Sequence, residues 1–259
     1  MNSTSVVLIT GGATGIGCSI AEKLLAEGLR VHICDVDSAA IDKFIKSHPA
    51  ATASVADVAD ADAVDRLFDD IEDHYGNLNV LVNNAGIAGP TALVEDIEPL
   101  DWDRTIAVDL NGQFYCARRA VPMLKAAGRG SIINISSSAA FFGFPLRAPY
   151  TACKWALIGF TKTLAMELGP HGIRVNAICP GSVNGPRIER VIARDAEERG
   201  QKVEEIRDIY ARQSSMGLFV DAEDVANLVW FLASDTGATI SGQAIGIDGH
   251  TESLSNPLG

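Results

Sequence analysis

The chain has 259 residues and carries 33 Asp and Glu against 21 Lys and Arg, which gives a net charge of −12. Hydrophobic residues make up 47% and charged residues 21%, the composition of an ordinary globular protein. So acidic a surface argues against binding to nucleic acid or to anionic membranes, because both need basic stripes.

Short β-branched runs alternate along the chain with longer segments of helical periodicity. The predicted strands are residues 6–10, 30–34, 53–55, 80–82, 131–135, 174–179 and 243–247. The predicted helices are residues 16–27, 39–47, 61–75, 102–126, 150–168 and 221–234, with a charged helical region over 185–216. This alternation predicts an α/β fold, a single Rossmann-type domain over 1–259 with a doubly wound parallel sheet of about seven strands and helices on both faces.

The five cysteines are widely spaced, and no two Cys or Cys and His residues lie at the spacing of zinc ligands. This pattern predicts reduced thiols in a cytoplasmic protein and no metal site. No segment approaches the ~20 apolar residues that a membrane span requires, and the first residues lack the features of a signal peptide.

A glycine-rich turn over residues 11–17 joins the first predicted strand to the first helix. Glycines let the backbone approach a diphosphate, and a helix N-terminus offers free N–H groups. Asp35 ends the second strand, where a carboxylate accepts both hydroxyls of an adenosine ribose and repels a 2′-phosphate. We therefore expect a dinucleotide site that prefers NAD, although structural turns would explain both features.

Six motifs in chain order resemble the short-chain dehydrogenase/reductase family over nearly the whole chain. They are the spacing of the glycine turn, Asp57-Val58, the tetrapeptide 83–86 (NNAG), Ser137 thirteen residues before Tyr150, Lys154 four residues after it, and Pro180-Gly181. The resemblance implies these cofactor contacts: Gly11, Thr14, Gly15, Ile16, Gly17, Asp35, Asp57, Val58, Asn83, Ala85, Gly86, Tyr150, Lys154, Pro180, Gly181 and Val183.

The same resemblance implies a catalytic set of Ser137, Tyr150 and Lys154. Tyr150 and Lys154 are one helical turn apart and face the same way. An ammonium group ~4 Å from the phenol, at an effective dielectric constant of ~20, stabilises the phenolate by about 4 kcal/mol. Tyr150 would then take the alcohol proton, and Ser137 would hydrogen-bond the substrate oxygen. A solvated helix face and a strand-end turn are the structural alternatives.

Two positions depart from the family pattern. Gly185 stands where the family often has a Thr four residues after the Pro-Gly turn, and the other departure concerns a catalytic residue. The family usually carries a catalytic Asn seven residues after a Trp, where it helps to hold a helix kink and a water that connects to the lysine. Here the residue seven positions after Trp102 is Asp109. A carboxylate accepts a hydrogen bond from Lys154 and keeps it charged, so we expect Asp109 to maintain the relay with an altered pH optimum.

Residues 185–216 are predicted to form a lid over the substrate. Arg147 and Arg187 are candidates to bind a carboxylate, phosphate or sulfonate of the substrate, since Arg forms paired hydrogen bonds with such groups. The alternative is a solvated helix with ordinary i,i+4 ion pairs and a neutral substrate such as a sugar, a polyol or a ring ketone.

The sequence as a whole predicts an NAD-dependent dehydrogenase that acts on a small secondary alcohol. The resemblance implies a homotetramer that associates through the helices 102–126 and 150–168. Two alternatives stay open: a 3-ketoacyl-type or other ketone reductase, and an NAD-binding sensor without turnover.

Overall fold

The computed structural model describes residues 4–252 and contains one seven-stranded sheet. The strand order is β3-β2-β1-β4-β5-β6-β7, and every neighbouring pair is parallel. The order reverses between β1 and β4, which is where doubly wound sheets bind their ligands. The predicted fold class is therefore confirmed. The strands are β1 Val6–Thr10, β2 Arg30–Asp35, β3 Thr52–Val55, β4 Val80–Asn83, β5 Gly130–Ile135, β6 Ile173–Pro180 and β7 Ala244–Ile247.

Helices cover both faces of this sheet because successive side chains of a strand point to opposite sides. In β1, Val7 and Ile9 pack towards α1, α2 and α9, whereas Val6 and Leu8 pack towards α3, α5 and α6. Residues 1–3 and 253–259 of the predicted domain lie outside the described residues. The helices are α1 Gly15–Ala26, α2 Ser38–Ser47, α3 Ala61–Tyr75, α4 Pro99–Ile106, α5 Gly112–Ala126, α6 Ala148–Leu168, α7 Pro186–Arg199, α8 Val203–Arg212 and α9 Ala222–Ala233.

The helix predicted over 102–126 is present, begins earlier, at Pro99, and contains a π-helical turn, Ala107–Asn111, between α4 and α5. A single π turn adds about one residue to the helix, and so short an insertion is not resolved by apolar periodicity. Such turns are frequent at functional sites, and this one contains Asp109.

The charged region 185–216 also divides into two helices, α7 and α8. Gly200, in the left-handed region, ends α7. The two helices share a small apolar cluster of their own, which includes Ile192, Ile206 and Tyr210. Within residues 4–252, no helix combines the length and apolar character of a membrane-spanning segment.

Candidate active site

A cavity of about 610 Å³ lies at the carboxyl ends of the strands and extends from Asp35 to Tyr150. It brings together most of the residues that the sequence predicts for the site. The predicted residues that line it are Gly11, Thr14, Gly15, Ile16, Asp35, Asp57, Val58, Ala85, Gly86, Ser137, Arg147, Tyr150, Lys154, Pro180, Gly181, Val183 and Arg187.

The glycine turn presents backbone to this cavity. Gly15 has φ +55°, and a Cβ there would meet nothing within 4 Å, so the turn is open on its cavity side. Thr14, the N-cap residue of α1, makes no side-chain cap, which leaves the first N–H groups of the helix available to an anion. Gly17 lies outside the cavity. A Cβ on it would stand 2.1 Å from the Gly11 carbonyl oxygen, so this glycine lets the helix pack against the turn.

Asp35 is held at the end of β2 by backbone N–H groups. Its Oδ2 accepts from the Ala13 N–H at 3.2 Å, and its Oδ1 accepts from the Val36 N–H at 2.8 Å. These bonds fix the carboxylate beside the cavity, at the place where an adenosine ribose would lie. At the same end, Asp57 lines the cavity with its Oδ2 3.0 Å from Arg104.

The residues of the tetrapeptide 83–86 have two roles: Asn83 is part of the buried sheet, and the other three line the cavity. Asn83 is fully buried, does not line the cavity, and donates from its amide to Asn134 Oδ1 at 3.0 Å, so it ties β4 to β5. Its neighbour Asn84, which the predicted contact set omitted, lines the cavity and donates to the carbonyl oxygens of Thr10 (2.9 Å) and Gly11 (3.0 Å). All four residues of β4 are buried, and Asn83 is the last of them. A buried strand that includes Asn83 keeps its side chain out of the cavity.

Tyr150 and Lys154 project from α6 into the cavity, with the Lys154 Nζ 5.3 Å from the centre of the Tyr150 ring. The Tyr150 hydroxyl makes no hydrogen bond to any residue in 4–252, so it is available to a ligand. Ser137 follows β5, is half-buried and also lines the cavity. Of the adjacent serines, Ser136 donates its hydroxyl to the Lys154 carbonyl at 3.0 Å, and Ser138 is buried. Ser137 is therefore the most accessible of the three.

Asp109 lies behind Lys154 and does not line the cavity. Its Oδ2 is 3.2 Å from Lys154 Nζ, and its Oδ1 accepts from the Ile87 N–H at 2.7 Å. Both side chains are buried, at 0% exposure for Asp109 and 4% for Lys154. A buried carboxylate needs a partner of this kind, and so does a buried ammonium. The contact with Lys154 that the sequence predicts for Asp109 is therefore present, and the part of Asp109 in the relay stays a prediction.

The two predicted substrate arginines occupy different environments. Arg147 is 4% exposed and donates to the Ala88 carbonyl at 2.6 Å. Its guanidinium stacks 5.0 Å from the centre of the Tyr150 ring, and no carboxylate of the described residues forms an ion pair with it. Burial lowers the pKa of Arg147 below its ordinary value. Arg187 is exposed, lines the same cavity and donates to the Gly86 carbonyl at 3.2 Å.

Two residues that line the cavity lie in or next to α8. The sequence motifs do not assign either of them to the site. Tyr210 donates its hydroxyl to Asp195 Oδ2 at 3.1 Å, and Gln213 follows the end of α8. Burial raises the pKa of Tyr210, so it is a structural phenol rather than a second base. Both residues belong to the predicted lid over 185–216, but no motif singles them out, because only the packing of α8 against α7 brings them to the cavity.

The cysteines are free thiols. Burial raises the pKa of Cys34, Cys153 and Cys179 to about 12, which makes these thiols poor nucleophiles. Across residues 4–252, no three His, Cys, Asp or Glu side chains are placed to hold a metal ion.

Known proteins match this chain over nearly its whole length. A family model described as Enoyl-(Acyl carrier protein) reductase matches residues 11–250. Trans-4-hydroxycyclohexanecarboxylate dehydrogenase of Sinomonas cyclohexanicum is 39% identical over 254 residues, covering 94% of this chain and 91% of the relative.

Two solved structures share the fold and differ in their cofactor. An NAD⁺-bound xylitol dehydrogenase matches with a TM-score of 0.92 and 28% identity, covering 95% of this chain and 98% of the other. An actinorhodin polyketide ketoreductase with NADPH matches with a TM-score of 0.91 and 31% identity, covering 96% and 97%. The chain therefore belongs to the short-chain dehydrogenase/reductase family, as an oxidoreductase of CH–OH or ketone substrates that binds a nicotinamide cofactor.

Proposed function

We propose that this protein is an NAD-dependent dehydrogenase that interconverts a small secondary alcohol and its ketone. One observation carries the proposal. The Tyr150 hydroxyl, free of hydrogen bonds within the described chain, faces the same cavity as Lys154 and Ser137, and Asp35 stands at the other end of that cavity. Because Ser137, Tyr150 and Lys154 are all present at this cavity, we do not favour the alternative of an NAD-binding sensor without turnover.

The preference for NAD rests on Asp35. Its carboxylate is fixed by three backbone N–H groups and would repel the 2′-phosphate of NADP. The next residues, Val36 and Asp37, add no positive charge that could offset this repulsion. We expect NADH to bind at least tenfold more tightly than NADPH, measured by fluorescence titration. Tighter binding of NADPH would favour the ketone reductase alternative, which the NADPH-bound ketoreductase relative represents.

The bound nicotinamide supplies a hydride acceptor at the substrate carbon. Tyr150, as the phenolate, accepts the proton of the alcohol at its Oη, and the Lys154 ammonium stabilises that phenolate. Ser137 donates a hydrogen bond to the substrate oxygen and holds the alcohol for this transfer. In the reverse direction the Tyr150 hydroxyl returns the proton to the ketone oxygen.

Asp109 supports these steps through its contact with Lys154, outside the cavity. It compensates the buried Lys154 charge and anchors the Ile87 amide of the loop that follows β4. We propose that it replaces the amide that the family usually places in this π turn, and that it keeps Lys154 protonated and aimed at the cavity.

An anionic substituent on the substrate is supported by Arg147. A buried guanidinium without a carboxylate partner is costly, and an anion in the cavity would offset that cost. The Sinomonas relative acts on a hydroxy carboxylate by its name. We therefore place hydroxy acids and hydroxy sulfonates ahead of sugars and polyols as substrates.

Formation of NADH from NAD⁺ tests the proposed function. The purified protein should reduce NAD⁺ with at least one alcohol from a panel of hydroxy acids, hydroxy sulfonates, sugars, polyols and cyclic alcohols. Turnover that persists in Tyr150→Phe would contradict the mechanism. Tight NADH binding without turnover on any alcohol would favour the sensor.

We also propose a cytoplasmic homotetramer. Phe114 on α5 and Trp155 and Met166 on α6 are exposed apolar side chains on the two helices that the resemblance assigns to subunit contacts. Light scattering on the eluting protein should give four times the chain mass of 27.4 kDa. A monomer in solution would contradict the proposed homotetramer.

A further inference from the structure

A second cavity of about 530 Å³ adjoins the first. It is bounded by the loop of residues 86–91, by α4 and by α7. The two cavities have lining residues in common, among them Gly86, Ile87, Arg187 and Arg190, so they lie directly side by side. A substrate held at Tyr150 in the first cavity could extend into the second.

Three arginines of α7 line this second cavity. Arg187, Arg190 and Arg194 stand at positions i, i+3 and i+7, which puts them on one face of the helix. None of the three forms an ion pair with a carboxylate of the described residues. A solvated helix with i,i+4 pairs, the structural alternative at these positions, would not leave three neighbouring guanidinium groups uncompensated.

Two of the four acidic residues of α7 pair with arginines that do not line this cavity. Glu189 pairs with Arg207 of α8, and buried Asp195 pairs with Arg199. These two carboxylates therefore do not neutralise the arginines of the cavity.

A fourth arginine completes the lining. Arg104, on α4, lines the cavity while it pairs with Asp57 at 3.0 Å. Asp101 is the single acidic residue among the described liners. In a chain of net charge −12, so many guanidinium groups around one cavity create a local positive potential. Guanidinium groups match phosphate oxygens with paired hydrogen bonds.

We infer that the second cavity binds a phosphate or diphosphate group that the substrate carries beyond its reacting carbon. This inference rests on the proposed function for the position of the reacting carbon. The binding of the anion rests on the arginines alone. The substrate class it names is therefore a phosphorylated secondary alcohol or ketone.

Inorganic pyrophosphate serves as the probe. It is titrated by calorimetry into the Tyr150→Phe protein saturated with NADH, so that neither turnover nor the cofactor's own diphosphate site contributes. We expect saturable binding that weakens as NaCl is raised. The double variant Arg190→Ala/Arg194→Ala should weaken it at least tenfold. Arg212→Ala, which removes a solvent-exposed arginine of α8 that pairs with Asp208, is the matched control and should leave it unchanged.

Three results would overturn the inference: no saturable binding, equal weakening by Arg212→Ala, or an equal loss of NADH affinity in the double variant. The last would assign the arginines to the cofactor. Arg190→Gln/Arg194→Gln repeats the test if the alanine variant does not fold.

A kinetic measurement then separates the sources of the phosphate group. If the group belongs to the substrate, pyrophosphate raises KM for the alcohol and leaves kcat unchanged. A lowered kcat at constant KM would indicate a site for a free anion and contradict the inference. Failure of all alcohols to turn over, with phosphorylated alcohols added to the panel, would count against the proposed function, while pyrophosphate binding would still be measurable.

Discussion

Two polar networks in this protein, each built around a buried side chain, differ in whether their hydrogen bonds are complete. The first joins β2, β3 and α3. Tyr75 and Thr52 are in contact at 2.7 Å, Thr52 contacts His32 Nδ1 at 2.7 Å, His32 Nε2 contacts Ser54 at 3.1 Å, and Ser54 donates to Asp70 at 2.7 Å. Because Ser54 gives its proton to Asp70, it accepts from Nε2–H, and Nδ1 of a neutral His32 accepts from Thr52. Every ring nitrogen and hydroxyl is satisfied.

The second network surrounds Tyr150 and is incomplete. Within the described residues, Thr151 Oγ1 and Arg147 Nε are buried without a hydrogen-bond partner, and Asp109 Oδ2 has only its ion contact with Lys154. Buried polar groups are normally paired, so an unpaired one at a cavity calls for a functional reason. The comparison teaches that a buried polar group does not by itself mark a site. Arg147 and Tyr150 differ from the first network because they line the cavity with hydrogen-bonding capacity that the described residues leave unused.

The strongest test of this contrast removes one hydroxyl from each network. Tyr150→Phe should lower kcat for alcohol oxidation by about 10³-fold, since a positioned base contributes ~10²–10⁴-fold. NADH binding should stay within a few-fold of the wild type. Tyr75→Phe is the matched control and should lower thermal stability while kcat is unchanged. Equal losses of activity in the two variants would remove the distinction between the networks.

The complete network predicts a pH dependence of stability. Burial lowers the pKa of His32 to about 4 from 6.5, so the unfolded chain binds the proton first as pH falls. The neutral form contributes stability that is fully present above pH 6.5 and is lost as pH falls towards 4. The loss amounts to about 3 kcal/mol, at 1.36 kcal/mol per pKa unit. Urea unfolding between pH 7 and 4 should show it in the wild type and not in His32→Gln. If the free energy of unfolding fell equally with pH in both proteins, His32 would not be the group responsible.

The unpaired arginine predicts a substrate effect. Arg147→Ala and Arg187→Ala, made separately, should each raise KM for an anionic alcohol at least tenfold, because each removes a cation that the cavity offers to the anion. Steady-state kinetics check this, with Arg212→Ala as the control on the same lid. Unchanged constants for both variants would return the two arginines to a structural role.

The smallest expected effect concerns Asp109. Asp109→Asn should keep activity within about tenfold of the wild type, because Asn is close in size and an effect that acts through another residue is modest. Without the carboxylate, the buried Lys154 ammonium group loses its charged partner, so its support of Tyr150 changes. The pH profile for oxidation should therefore shift relative to the wild type. A complete loss of activity, or an unmoved profile, would contradict the positioning role.

Much of this arrangement could be predicted from the sequence. Strand–helix alternation gives the sheet, and the motif order places the cavity at its carboxyl edge, with Asp35 and Tyr150 at opposite ends. Local patterns do not report how side chains divide between core and cavity, as Asn83 and Gly17 show. They also do not show the π turn at Asp109 or that Tyr210 lines the cavity, because both depend on packing between segments distant in the chain.

The most direct test of the account compares two alcohols of similar size with NAD⁺ as the oxidant, one a hydroxy carboxylate and the other its neutral amide. The account predicts NADH formation with kcat/KM at least tenfold higher for the carboxylate, because no carboxylate of residues 4–252 forms an ion pair with the buried Arg147. No NADH from either alcohol, or equal values for both, would contradict it.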